Sequence, residues 1–147
     1  MTNRFKRTRD DHRREYAEDY LELIEDLVRS KGEARAVDLA THLGVSHVTV
    51  GKTVRRLARE GLVTAEPYQP IFATTEGKRI AALSRDRHET VVRFLCALGV
   101  SSETAEIDAE GIEHHVSAET LTAMQQFVKA QSDPETPSSS NDPAPCS

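Results

Sequence analysis

The 147-residue chain has no tryptophan, two cysteines and few aromatics, which make up 5% of it. Its core must therefore be built from aliphatic side chains. Two cysteines, Cys96 and Cys146, cannot staple a disulfide framework, and their scarcity fits a reducing, cytoplasmic setting. No apolar run reaches the about 18 residues that a membrane-spanning helix requires. The opening stretch, TNRFKRTRDDHRRE, lacks the apolar segment of a secretory signal. The length is too short for a barrel or a large doubly wound sheet. The net charge of −5 argues weakly against a polyanionic partner, but its distribution reverses that reading.

Charge is segregated along the chain. Residues 1–14 carry six bases (Arg4, Lys6, Arg7, Arg9, Arg13, Arg14) against Asp10 and Asp11. Residues 33–61 carry five (Arg35, Lys52, Arg55, Arg56, Arg59) against Glu33, Asp38 and Glu60. Residues 99–130 carry six acids (Glu103, Glu106, Asp108, Glu110, Glu113, Glu119) against Lys129 alone. A polyanion would meet the first half, and cations the last third.

Hydrophobic periodicity predicts an amphipathic helix over 15–30, with Tyr16, Tyr20, Leu23, Ile24, Leu27 and Val28 on one stripe and Gly32 beyond its end. A short helix over 36–43 stops at Gly44, and a third, capped by Ser46, runs to about Glu60. Residues 62–64 and 71–74 are β-prone and flank a turn with two prolines, Pro67 and Pro70. Thr75 caps a long helix to about Leu98, Ser101 or Ser102 one to about Val116, and Ser117 one to about Ala130. Residues 131–147 are rich in Pro, Ser and Asp and predict a disordered tail. The basic residues 1–14 read as a disordered extension.

Helix, helix, turn, helix and hairpin is the order of a winged helix-turn-helix, whose second short helix enters the DNA major groove. Val37, Leu39, Ala40 and Leu43 are the expected packing face of the supporting helix, and Val45 and Val50 the bridge to the next. Outward-facing His47, Thr49, Lys52, Thr53 and Arg56 are the candidates for contacts to base edges or phosphates. A three-helix packing module with a solvated basic face is the plainer alternative.

Three clusters combine residues that ligate metals. Asp19 and Glu22 lie at i and i+3 on the first helix; His88 lies on the long helix; Glu110, Glu113 and His114 occupy i, i+3 and i+4 of the following one. Each alone is ordinarily a solvated acidic face. Tyr20, Leu23 and Ile24, and Ile107 and Ile112, place the acids near buried surface, where carboxylates repel one another unless a cation neutralises them.

The stretches Glu18-Asp19-Tyr20-Leu21-Glu22, Gly32-Glu33-Ala34-Arg35, Val54-Arg55-Arg56-Leu57, Thr75-Glu76-Gly77-Lys78, Arg87-His88-Glu89 and Glu110-Gly111-Ile112-Glu113-His114-His115 resemble the DtxR/MntR family of metal-dependent repressors, most of all its manganese-responsive branch. The resemblance covers roughly residues 12–130. It implies a mainly α fold: a winged helix-turn-helix with a small β-hairpin wing over 15–75, then an all-α metal-binding and dimerisation domain over 76–130. It implies two Mn²⁺ per subunit, held between the two domains by Asp19, Glu22, His88, Glu110, Glu113 and His114, with no ligand role for His115. Iron-responsive relatives carry Met and Cys where this chain has Asp19 and Glu110, and a further SH3-like domain where residue 131 opens the tail.

A donor set of four carboxylates and two imidazoles, without sulfur, suits Mn²⁺ by hardness. Fe²⁺ and Zn²⁺ bind the same donors at least as well, so an iron- or zinc-responsive repressor is the nearest alternative. The resemblance implies a non-enzymatic homodimer on a palindromic DNA operator, repressing manganese uptake, with activation of efflux as a second role, and with Val91, Leu95, Leu98, Leu121 and Phe127 as apolar dimer anchors. A metal-independent winged-helix regulator is a further alternative. A dinuclear metallohydrolase is remote, because it leaves the helix-turn-helix unexplained.

Overall fold

The computed structural model describes the backbone of residues 2–132 and the side chains of residues 12–132. The predicted tail lies almost wholly outside the described residues. The chain divides into two compact units, one ending at Ser84 and the other starting at Arg85, with the boundary inside a helix.

In the first unit, α1 spans Thr2–Lys31. It begins well before Glu15, so the backbone of residues 2–14 is helical where composition predicts disorder. No Gly or Pro precedes Gly32, and local pairs such as Arg14–Glu18 and His12–Glu15 add helical support. Tyr20, Leu21, Ile24 and Leu27 are buried, whereas Tyr16 is exposed. Next come α2 (Ala36–Leu43) and α3 (His47–Arg59), joined through Gly44 at φ 66°, a left-handed backbone that glycine adopts without strain. Ser46 caps α3, accepting from the Thr49 backbone N–H at 3.2 Å. Leu39 and Ala40 bury the inner face of α2. Val37 lies two residues from Leu39, on the opposite side of the helix, and is exposed, as is Val45; neither serves in the core as the sequence suggests.

The wing pairs β1 (Val63–Thr64) with β2 (Phe72–Ala73) antiparallel, Val63 opposite Ala73. An isolated bridge from Ala34 to Ile71 ties it to the α1–α2 connection. Helix α4 (Thr75–Ala97) is capped by Thr74, not Thr75: the Gly77 N–H donates to Thr74 Oγ1 at 3.2 Å. Gly77 packs so tightly that a Cβ there would stand 2.1 Å from the Leu62 carbonyl oxygen. Leu21, Leu39, Val50, Leu57, Leu62, Val63 and Ile71 share one continuous core.

The second unit contains the rest of α4, α5 (Ser102–Ile112, capped by Ser101) and α6 (Ala118–Gln131, capped by Ser117). Among its described residues, the buried apolar ones are Val91, Ala105 and Ala109, and Phe94 meets Phe127 edge to face at 5.5 Å. Helix α5 stops at Ile112, short of the Val116 expected from sequence; Gly111 weakens its last turn.

Candidate metal centre and nucleic-acid interface

Helix α3 sorts its residues by side. Val50, Val54 and Leu57 are buried, while His47, Thr49 and Lys52 are exposed and Thr53 and Arg56 half-buried. All five sequence-selected residues therefore lie off the core face. Lys52, Thr53, Arg55, Arg56 and Arg59 line one shallow depression, a concentration of positive charge suited to phosphate oxygens. The Thr49 hydroxyl is partly engaged, 3.0 Å from Ser46 Oγ. Sequence reasoning passed over Arg55 and Arg59, although their spacing from Lys52, i+3 and i+7, marks one face. It also missed two exposed side chains: Val48 on α3, and Tyr68 in the wing turn, 97% exposed and at φ 64°. A lone aromatic between two prolines was the available signal.

In the second unit, α4 brings His88 against α5. Its Nδ1 lies 2.6 Å from Glu113 Oε2 and 3.7 Å from Glu110 Oε1. One ligand atom from each of these three residues lies within 4.8 Å of the others, a separation one cation can bridge. The Glu113 side chain is 1% exposed, that of Glu110 68%. A carboxylate buried this completely needs positive charge or donors nearby, and the set of two carboxylates and an imidazole fits a hard or borderline divalent cation. Burial works against a charged His88. The hydrogen bond to Glu106 and the charges of Glu113 and Glu110 outweigh it and hold its pKa above the usual imidazole value.

The expected single helical face of Glu110, Glu113 and His114 is not formed. Because α5 ends at Ile112, Glu113 sits at its C-cap and His114 in the following turn. His114 is buried with Nε2 3.2 Å from Glu113 Oε1, beside the three-donor group. A third acid at His88, Glu106, was missed from sequence and places Oε2 2.7 Å from His88 Nε2. Its position seven residues before Glu113, two turns back on α5, was the signal.

Asp19 and Glu22 are half-buried on α1 in the first unit. Buried Ser84 donates a hydrogen bond from Oγ to Glu22 Oε1, fixing that carboxylate from a residue the sequence did not single out.

A family model described as iron dependent repressor, N-terminal DNA binding domain, matches residues 14–71. Its companion, iron dependent repressor, metal binding and dimerisation domain, matches residues 74–139. The transcriptional regulator MntR of Escherichia coli O6:H1 is 53% identical over 125 residues, 85% of this chain and 81% of that protein. The chain belongs to the DtxR/MntR family of metal-dependent transcriptional regulators. MntR of Salmonella typhimurium is 51% identical over 85% of this chain and 80% of its own. The solved structure of a manganese-dependent transcriptional repressor in complex with manganese aligns with a TM-score of 0.69 at 30% identity, over 77% of this chain and 52% of that one. The chain thus spans about half the length of that solved protein. Proteins of the DtxR/MntR family are transcriptional regulators and not enzymes. The DNA-binding model takes in the whole of α3, and the metal-binding model takes in His88, Glu110, Glu113 and His114. The two family models change over between residues 71 and 74, and the compact units part further along the chain, after Ser84.

Proposed function

We propose that this protein is a manganese-responsive, DNA-binding repressor of manganese uptake genes, acting in the cytoplasm as a homodimer on a palindromic operator. The observation that carries the reading is the sulfur-free donor group of His88, Glu110 and Glu113, within a chain whose α3 presents a basic face. The names of its 51–53% identical relatives point the same way.

The proposed ligands are Asp19, Glu22, His88, Glu110, Glu113 and His114, holding two Mn²⁺ per subunit. Bound Mn²⁺ supplies the positive charge that lets these carboxylates occupy one region. Asp19 and Glu22 extend from α1, the helix that supports the DNA-binding module; the other four come from α4, α5 and the turn after it. Filling the set restricts the orientations open to the two units. Two recognition helices of a dimer must reach half-sites about 34–36 Å apart, and fewer accessible orientations mean less entropy lost on DNA. A coupling of about 1–3 kcal/mol is the usual scale. His47, Thr49, Lys52, Thr53 and Arg56 contact the operator. Apolar residues of α6, which has none buried, serve the dimer interface together with Leu95 and Leu98. Val91, selected from sequence as an anchor, is fully buried within the chain and contributes from beneath.

The test is operator binding by the purified protein with Mn²⁺, Fe²⁺ or Zn²⁺ against a chelated control. Activation by Mn²⁺ that is absent from the chelated control supports manganese sensing. Activation by Fe²⁺ or Zn²⁺ alone assigns the protein to the iron- or zinc-responsive alternative. Binding indifferent to chelator removes the metal from the mechanism.

A further inference from the structure

Glu106 has no place in the proposed ligand set, yet it makes a close contact with one member. His88 uses both ring nitrogens: Nδ1 faces Glu113 and Glu110 at 2.6 and 3.7 Å, and Nε2 faces Glu106 Oε2 at 2.7 Å. The cluster of donor atoms within 4.8 Å contains His88, Glu110 and Glu113 but not Glu106. The two nitrogens therefore point to different surroundings, one to the cation-binding cluster and the other to a 60% exposed carboxylate.

A neutral imidazole has one N–H and one lone pair, and the partner of one nitrogen decides where the proton sits. A carboxylate accepts only. Without metal, carboxylates accept at both nitrogens, Glu113 at Nδ1 and Glu106 at Nε2; a cation needs the Nδ1 lone pair, and the remaining proton must then sit on Nε2, where Glu106 accepts it. Histidine ligands generally donate their other N–H to a carboxylate or carbonyl, which fixes the ring and raises its basicity.

We propose that Glu106 is a positioning residue for the metal centre: it accepts the His88 Nε2–H and so commits Nδ1 to the cation held with Glu110 and Glu113. The inference rests on the metal-binding reading above. When a divalent cation binds, Nδ1 contributes its lone pair, any Nδ1 proton leaves to solvent, and the Nε2 proton stays on His88 in its hydrogen bond to Glu106. Both residues sit one helix apart in the same unit, and the exposure of Glu106 means its replacement removes little packing.

The test compares Glu106→Ala and Glu106→Gln with the unchanged protein. The first readout needs no metal. Long-range ¹H–¹⁵N spectra of histidine-labelled apo protein, taken where His88 is neutral and assigned with His88→Gln, report its tautomer. Loss of the Nε2 acceptor in Glu106→Ala should shift the neutral ring toward Nδ1–H relative to the unchanged protein; Glu106→Gln, which keeps an acceptor oxygen, should stay close to the unchanged protein. The second readout is Mn²⁺ affinity by titration. Glu106→Ala should weaken it by about 10-fold, the low end of outer-shell effects because the contact is exposed, and Glu106→Gln should recover most of the loss. An unaltered tautomer and affinity in Glu106→Ala overturns the proposal, and so does Glu106→Gln being as impaired as Glu106→Ala, since charge rather than acceptance would then be responsible. If the unchanged protein binds no Mn²⁺ while the tautomer shifts as stated, the positioning role stands and the metal reading falls.

Discussion

Around α1–α3 and the wing, the first unit packs Leu21, Ile24, Leu39, Val50, Leu57, Val63 and Ile71 into a shared aliphatic core. From Arg85 onward the described residues bury only Val91, Ala105 and Ala109 of apolar character, and with them Glu113 and His114. The first unit is held by the hydrophobic effect and presents the basic residues of α3 outside that core. In the second, the polar donors are themselves part of the interior. Buried apolar area stabilises without any ligand, whereas buried donors depend on what neutralises them. The contrast teaches that the core of the first unit should hold without metal, whereas the buried Glu113 and His114 of the second should depend on what neutralises them.

The hardest way to break the first unit is at Gly77. Gly77→Ala drives a Cβ against the Leu62 carbonyl, a backbone atom with little freedom to retreat. A loss of about 3 kcal/mol, the upper end of overpacking effects, is expected, equal with and without Mn²⁺, in chemical denaturation. A destabilisation that Mn²⁺ rescues in full would mean the two units are not stabilised separately.

The matching attack on the second unit is Glu113→Ala. Mn²⁺ at 100 times its dissociation constant should stabilise the unchanged protein by about 2.7 kcal/mol, and that increment should vanish in the variant. Scanning calorimetry with and without Mn²⁺ reads both. Retention of the increment would remove Glu113 from the ligand set.

Smaller effects sharpen the comparison. Lys52→Ala should weaken DNA binding across all sequences and lower the salt slope by about 0.9, leaving Mn²⁺ affinity unchanged; anisotropy at several salt concentrations measures it. Ser84→Ala removes the hydrogen bond to Glu22 and should do the reverse, lowering Mn²⁺ affinity several-fold while leaving metal-free DNA binding as it was.

The mildest handle is pH. Because the pKa of His88 is raised, its charged form stabilises the metal-free fold most fully below its ordinary value of about 6.5. That contribution fades as pH rises through the raised value. Over the same interval Mn²⁺ affinity should climb, since Nδ1 must lose its proton to bind. Apo melting temperature and Mn²⁺ titration between about pH 6 and 8 check the two opposite trends, and His88→Gln should flatten the first.

The periodicities of α2 and α3, the caps at Ser46, Ser101 and Ser117, and Gly44 were legible because each is a local preference that no distant contact overrides. The outward side of α3 followed from the same helical period. Local rules also misled where they met competition: Thr74 and not Thr75 caps α4, and α5 ends before it can carry Glu110, Glu113 and His114 on one face. Spacing names donors but not where each carboxylate turns.

Sequence by itself determined the order of helices and hairpin, the basic character of α3 and the chemical type of the candidate metal donors, because propensity, charge and hardness belong to residues one at a time. Only the tertiary structure decided that His88 meets Glu110 and Glu113 through Nδ1 and Glu106 through Nε2, that Ser84 reaches Glu22, and that Gly77 lies against Leu62. Those pairings join residues far apart in the chain, and what sets them is the packing of one helix on another, which no local pattern encodes.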